Sequence, residues 1–209
     1  MERSEALQKI SELKGKDLRL LADDYEVTVW RDGKKNKGWA GHVLERYLGL
    51  PINSSRAPNF GSWELKVVPL KWTKTGVLKV KETMAITMLD PREVAAKEFE
   101  QSHMFQKLKK QVVVSRVFAD QMESTAILHD VVEFDLSDPV VYRLVKADYD
   151  LIRLTILESG FGSLSGRLGF LVQPRTKGRG HGSVSRAFYA RPRLVAHILG
   201  LEKLDLDNL

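Results

Sequence analysis

No cysteine occurs in the 209 residues, which excludes a disulfide scaffold and any cysteine-based zinc site and fits a reducing cytoplasm. No apolar run approaches ~18 residues, and the opening MERSEALQKISELKG reads as a charged amphipathic helix, so neither a membrane span, a membrane partner nor a signal peptide is expected. The histidines (His42, His103, His129, His181 and His197) are widely spread, with no HExxH or paired spacing, so a histidine-built metal centre or nucleophilic triad has no support. The most informative absence is of acid. From Ser159 to Leu201 there is no Asp or Glu, while Arg167, Arg175, Lys177, Arg179, Arg186, Arg191 and Arg193 supply seven positive charges. Net charge is +6, so the remainder of the chain is about neutral and one continuous segment carries the excess. A polyanion is the natural partner for such a segment; a merely solvated basic face is the plainer alternative.

What is present is enough for one sizeable core: 43% of the residues are hydrophobic, and a single domain with two lobes is expected. Leu7, Ile10 and Leu13 fall at helical spacing before Gly15, and Leu18 to Ala22 reads as a further short turn. Val43, Leu44, Tyr47 and Leu48 share a helical face that Gly49 closes. Trp63 to Val68 reads as a short buried strand, and because side chains at i and i+2 share a face, Glu64 and Lys66 project the same way. A turn built by Pro58 and Gly61 brings Asn59 towards the start of that strand.

The rest of the chain alternates between elements. Gly76 to Leu89 reads as a strand pair or one long strand. Asp90 and Pro91 open a helix through roughly Lys110, whose basic end makes Lys107 a phosphate-contact candidate. Val112 to Phe118 and Thr125 to Phe134 read as central strands, and Asp138 and Pro139 begin a long helix to about Ser159. The basic segment then reads as a strand at Leu168 to Val172, a Gly-rich loop holding Arg175, Lys177, Arg179 and His181, a second strand at Ala187 to Ala190, and a final helix.

Two carboxylates and a lysine gathered at one strand form a metal-dependent nuclease core: the acids hold Mg²⁺ through hard oxygen ligands, and the lysine orients or helps deprotonate the attacking water. With 27 acidic and 33 basic residues, about four carboxylate-x-base triplets are expected by chance, so Glu64 and Lys66 alone read as a surface pair. The wider pattern changes this. The segment KGWAGHVLE, from Lys37 to Glu45, precedes Asn59 to Lys66, and together they resemble the MutH-like endonucleases, the family of the mismatch-repair nicking enzyme and of restriction endonucleases that cut at GATC. The resemblance runs from about Lys37 to Leu199.

That resemblance implies an α/β restriction-endonuclease-like fold, a mixed central sheet flanked by helices, with a catalytic lobe (about residues 1–110) and a recognition lobe (about residues 111–209) around a DNA cleft. It places Glu45, Asn59, Glu64 and Lys66 at the catalytic positions, Asn59 and Glu64 at the metal, and Lys37 at the lysine that starts the helix motif. Arg175 and Lys177 match the recognition region, Tyr189 matches the tyrosine used near the adenine, and Lys107, Arg179, His181 and Arg186 join them as DNA contacts. The implied activity is Mg²⁺-dependent cleavage of double-stranded DNA at GATC or a related short site, leaving a 5′-phosphate. The implied partners are a homodimer mate on a palindromic site and, for a restriction system, a cognate DNA methyltransferase. One position departs from the family. Where the family carries aspartate, position 59 is asparagine, whose neutral carbonyl oxygen replaces a metal-binding anion. Such a chain is expected to bind DNA with little or no cutting, either as a disabled version of an active enzyme or as a naturally silent relative. A restriction enzyme is the first expectation, a repair nickase the second, and a DNA-binding module that never cuts the third.

Overall fold

The computed structural model describes residues 1–50, 58, 60–120, 122–177 and 185–204. Helices α1 (Arg3–Ser11) and α2 (Leu18–Asp24) come first, the second capped by the Asp17 carboxylate, which accepts from the Arg19 N–H at 2.9 Å. A small hairpin, β1 (Trp30–Arg31) and β2 (Lys34–Lys35), leads into α3 (Trp39–Tyr47). Gly49, at φ 80°, closes α3 by returning its N–H to Arg46, as only a residue free of Cβ does at little cost.

The main sheet is built from β3 (Glu64–Trp72), β4 (Leu78–Val80), β6 (Lys110–Phe118) and β7 (Ala126–Asp135), in the order β4-β3-β6-β7. Strands β3 and β6 run parallel and the other pairs antiparallel, which makes the sheet mixed. Its two faces are both covered. Leu65, Val112 and Val114 meet Trp39, Val43 and Leu44 of α3 on one side; Val68 and Val113 join the core with Phe99, Leu108 and Tyr149 on the other. By strand alternation Glu64 and Lys66 belong to the Val68 face, opposite α3.

A second sheet contains β5 (Met84–Leu89), β8 (Val172–Thr176) and β9 (Arg186–Ala190), in the antiparallel order β5-β9-β8. Between the sheets pass α4 (Pro91–Ala96), α5 (His103–Leu108) and the 21-residue α6 (Pro139–Ser159), and α7 (Pro192–Ile198) follows β9. Asp90 and Asp138 cap α4 and α6, each with proline at the first helical turn, as the sequence indicates.

Several sequence expectations are corrected. The helix from Asp90 to Lys110 is broken: Lys97 is extended, its carbonyl accepts the Tyr149 hydroxyl at 2.9 Å, and Ser102 restarts the chain by capping Phe105. The break drops Phe99 into the core and turns Lys107 inwards. The second expected central strand, β7, lies at the sheet edge, where α1 and α2 cover it: Arg3 pairs with Asp135 at 2.7 Å, and Asp17 accepts the Ala126 N–H at 2.8 Å. The strand placed at Leu168 to Val172 begins only at Val172, because the N–H groups of Phe170, Leu171 and Val172 point at the buried Asp148 carboxylate, at 2.6, 2.6 and 2.7 Å. Finally, the sheet that holds Glu64 continues past residue 110 through β6 and β7, while β5, before that residue, belongs with β8 and β9.

Candidate active site and DNA-binding cleft

The approach to β3 is fixed by packing. The Gly61 N–H returns to the Pro58 carbonyl at 3.1 Å, Phe60 stacks on Trp63 with ring centroids 3.8 Å apart, and the Trp63 indole donates to the Met1 carbonyl. This sets the first strand residue, Glu64, at the head of a cleft. Its carboxylate is 3% exposed, and each oxygen is held by a different lysine: Oε1 by Lys66 Nζ and Oε2 by Lys107 Nζ, both at 2.9 Å. Lys66 also donates to the Ile86 carbonyl of β5 at 3.4 Å. Among the described residues, two ammonium groups thus converge on this one carboxylate.

A cavity of about 810 Å³ opens over this group, and its wall includes Glu64, Lys66, Asp90, His103, Lys107 and Lys177. Lys107, the phosphate-contact candidate of the helix end, is buried on Glu64. The register of the parallel pair explains how it gets there. Glu64 lies opposite Gln111 at the start of β6, and Lys107 occupies the last turn of α5, immediately before that strand.

The second sheet contributes to the same cavity through β5 and through Lys177, which follows β8. Gln173, Arg175 and Lys177 alternate onto one side of β8, and the pairing of Gln173 with Tyr189 puts the Tyr189 ring there too. The Arg175 guanidinium lies 5.8 Å from the Tyr189 ring centre and donates to the Thr83 hydroxyl at 3.0 Å. Burial pushes the Tyr189 hydroxyl up from its ordinary pKa, against the opposing pull of Arg175 and with a further push from Glu82. Arg186 lies apart from this group. It projects from the opposite side of β9 to Tyr189, donates to the Gly162 carbonyl and covers the Phe161 ring at 5.6 Å.

Of the remaining expected site residues, Lys37 is exposed ahead of α3, and Glu45 is half-buried on α3, which packs on the face of β3 away from Glu64. Neither belongs to the cavity wall among the described residues. Asn59, Arg179 and His181 lie outside the described residues. His103 and Asp90, which the sequence reading left aside, do line the cavity; the signal for His103 was its place four residues before Lys107, one helical turn away on the same face.

Magnesium needs several hard oxygen ligands at once. Among the described residues no group of three or more His, Asp or Glu side chains is placed to hold a metal, and the one carboxylate at the cleft head is already committed to two ammonium groups. The described side chains do not fit Mg²⁺ as they stand.

A mixed sheet flanked by helices, with an acid and a lysine two residues apart at one strand end and a basic cleft beside them, defines a restriction-endonuclease-like fold. Residues 48–152, half of the chain, match the family described as DNA mismatch repair enzyme MutH, and the chain belongs to that family of DNA endonucleases. It is 27% identical to the type II restriction enzyme Sau3AI of Staphylococcus aureus over 82% of its length, but spans only 39% of that enzyme. To the DNA mismatch repair protein MutH of Vibrio vulnificus it is 26% identical, over 94% of this chain and 92% of the relative. MutH of Vibrio cholerae is 27% identical over 93% and 94% respectively. Among the described residues no helix is long and apolar enough to cross a membrane.

Proposed function

We propose that this chain is a site-specific DNA-binding member of the family, built on the site of a type II restriction endonuclease that reads GATC or a related short sequence, with cutting silenced at Asn59. The observation that carries this reading is the Glu64 carboxylate shared between Lys66 and Lys107 at the head of a cleft that Lys177 also lines. Each chemical role follows from that arrangement. A DNA phosphate entering the cleft meets two ammonium groups held apart by one buried acid, so the backbone is drawn to the strand end where hydrolysis would take place. Glu64 keeps both lysines in place. Lys177 and Arg175 extend the positive surface onto β8, where arginine and lysine can donate paired hydrogen bonds to guanine. Asn59 withholds the second anion, and with it the affinity for the divalent ion that the family's chemistry uses.

The reading is tested by Asn59→Asp on plasmid DNA containing GATC sites, with and without Mg²⁺. Discrete fragments from the variant alone, and only with the ion, support the silenced nuclease. Continued silence with retained binding of GATC duplexes favours a module that never cuts. A second reading, a nicking enzyme of mismatch repair, is supported by the near full-length correspondence with the Vibrio proteins. Nicks in place of double-strand breaks, in the absence of any partner protein, would favour it.

A further inference from the structure

We infer that Thr83 is the positioning residue of the recognition strand: its hydroxyl fixes the Arg175 guanidinium beside Tyr189 and so sets how sharply the chain tells its DNA site from other sequences. The inference rests on the reading above, in which Arg175 meets base edges. Three separate segments hold this one side chain. Thr83 Oγ1 accepts from Nη1 at 3.0 Å, the Tyr189 ring lies 5.8 Å from Cζ, and the stem passes bare backbone at Gly166, where a Cβ would come 3.6 Å from Cγ. Arg175 is nonetheless exposed, so among the described residues these contacts are what restrain its long side chain.

The hydroxyl uses one N–H of the guanidinium fork and leaves the others to donate outwards. An arginine already fixed in direction loses less rotamer freedom on meeting guanine, and the gain appears only where the geometry is used. Phosphate contacts position the protein without reading sequence, so they do not depend on it. Thr83 also sits at a junction. It ends the short crossover from β4 in the main sheet to β5 in the second, and β5 supplies the Ile86 carbonyl that Lys66 touches.

The experiment uses the full chain and duplexes randomised at four adjacent positions, with affinities read by fluorescence anisotropy at one fixed salt concentration. The preferred and the disfavoured duplex of the parent are then measured with Thr83→Val, Thr83→Ser, Arg175→Ala and the Thr83→Val/Arg175→Ala double variant. Loss of one hydrogen bond to a charged donor predicts that Thr83→Val lowers the preference about tenfold. Its affinity for the disfavoured duplex should stay unchanged, and Thr83→Ser should restore the preference. Without Arg175, Thr83→Val should change nothing, an outcome that a merely structural threonine would not give. The inference is overturned if Thr83→Val keeps the ratio, weakens both duplexes equally, or acts just as strongly without Arg175. A parent that prefers no sequence at all overturns the site-specific reading itself, and this inference with it.

Discussion

Lys107 is the residue whose removal tests the site most directly. Lys107→Met keeps the length of the aliphatic stem but takes away the ammonium 2.9 Å from Glu64 Oε2. Breaking a buried ion pair outright costs ~3–5 kcal/mol, because an uncompensated charge stays behind. Here Lys66 still holds the other oxygen, so the loss should resemble that of one buried acceptor bond, about 2 kcal/mol. With a urea slope of about 2 kcal/mol/M, the unfolding midpoint should fall by roughly 1 M. Urea titrations of the parent, Lys107→Met, Glu64→Gln and the double variant give the coupling between the two groups, expected at about 1–2 kcal/mol. If Lys107→Met is as stable as the parent, or if the single losses simply add, the ammonium does not hold the carboxylate and the account of the cleft head is wrong.

Two further outcomes follow from buried carboxylates elsewhere. Glu123 is 2% exposed; burial pushes its carboxyl up, but hydrogen bonds from Arg116, Lys35 and the Trp39 indole outweigh this and hold it below the usual range. A depressed folded-state pKa contributes stability above the ordinary glutamate value of ~4.3 that is lost as pH falls through the folded one, so the thermal midpoint should drop below about pH 4. Glu123→Gln should flatten that limb while costing about 3 kcal/mol at neutral pH, and parallel pH profiles for the two proteins would refute the assignment. Gly169 sits at φ 79°, where an added Cβ would lie 1.9 Å from the Val172 carbonyl oxygen and 3.1 Å from the Asp148 carboxylate. Gly169→Ala should therefore cost at least ~3 kcal/mol and speed hydrogen exchange at Phe170 to Val172; unchanged protection there would mean that the turn does not depend on glycine.

The sequence was readable where local rules decide the outcome. The caps at Asp90 and Asp138, the face shared by Glu64 and Lys66, and the α/β class all follow from spacing of a few residues. It was misleading where a distant partner decides. Nothing near Lys97 announces that the Tyr149 hydroxyl will claim its carbonyl, and nothing near Leu171 shows that Asp148, 23 residues earlier, will take its N–H from a strand ladder. Lys107 shows both behaviours. Its helix was visible, but its burial depends on the pairing of β3 with β6, which no short window contains. Arg186 follows a simpler rule: it lies three residues before Tyr189, so strand alternation alone puts the two on opposite sides of β9.

The pairing of β5 with β9 has a consequence for how such a chain is made. Leu89 finds its partner only at Arg186, so on a ribosome adding ~5–20 residues per second the strand waits on the order of 10 s for its complement to be translated. During that interval Met84 to Leu89 is an apolar strand with an open edge, the kind of surface that recruits other chains. Folding late through so distant a contact is intrinsically slow. The nascent chain is thus expected to depend on holdase chaperones, and a message stalled before codon 186 should yield an aggregating product with no DNA cleft.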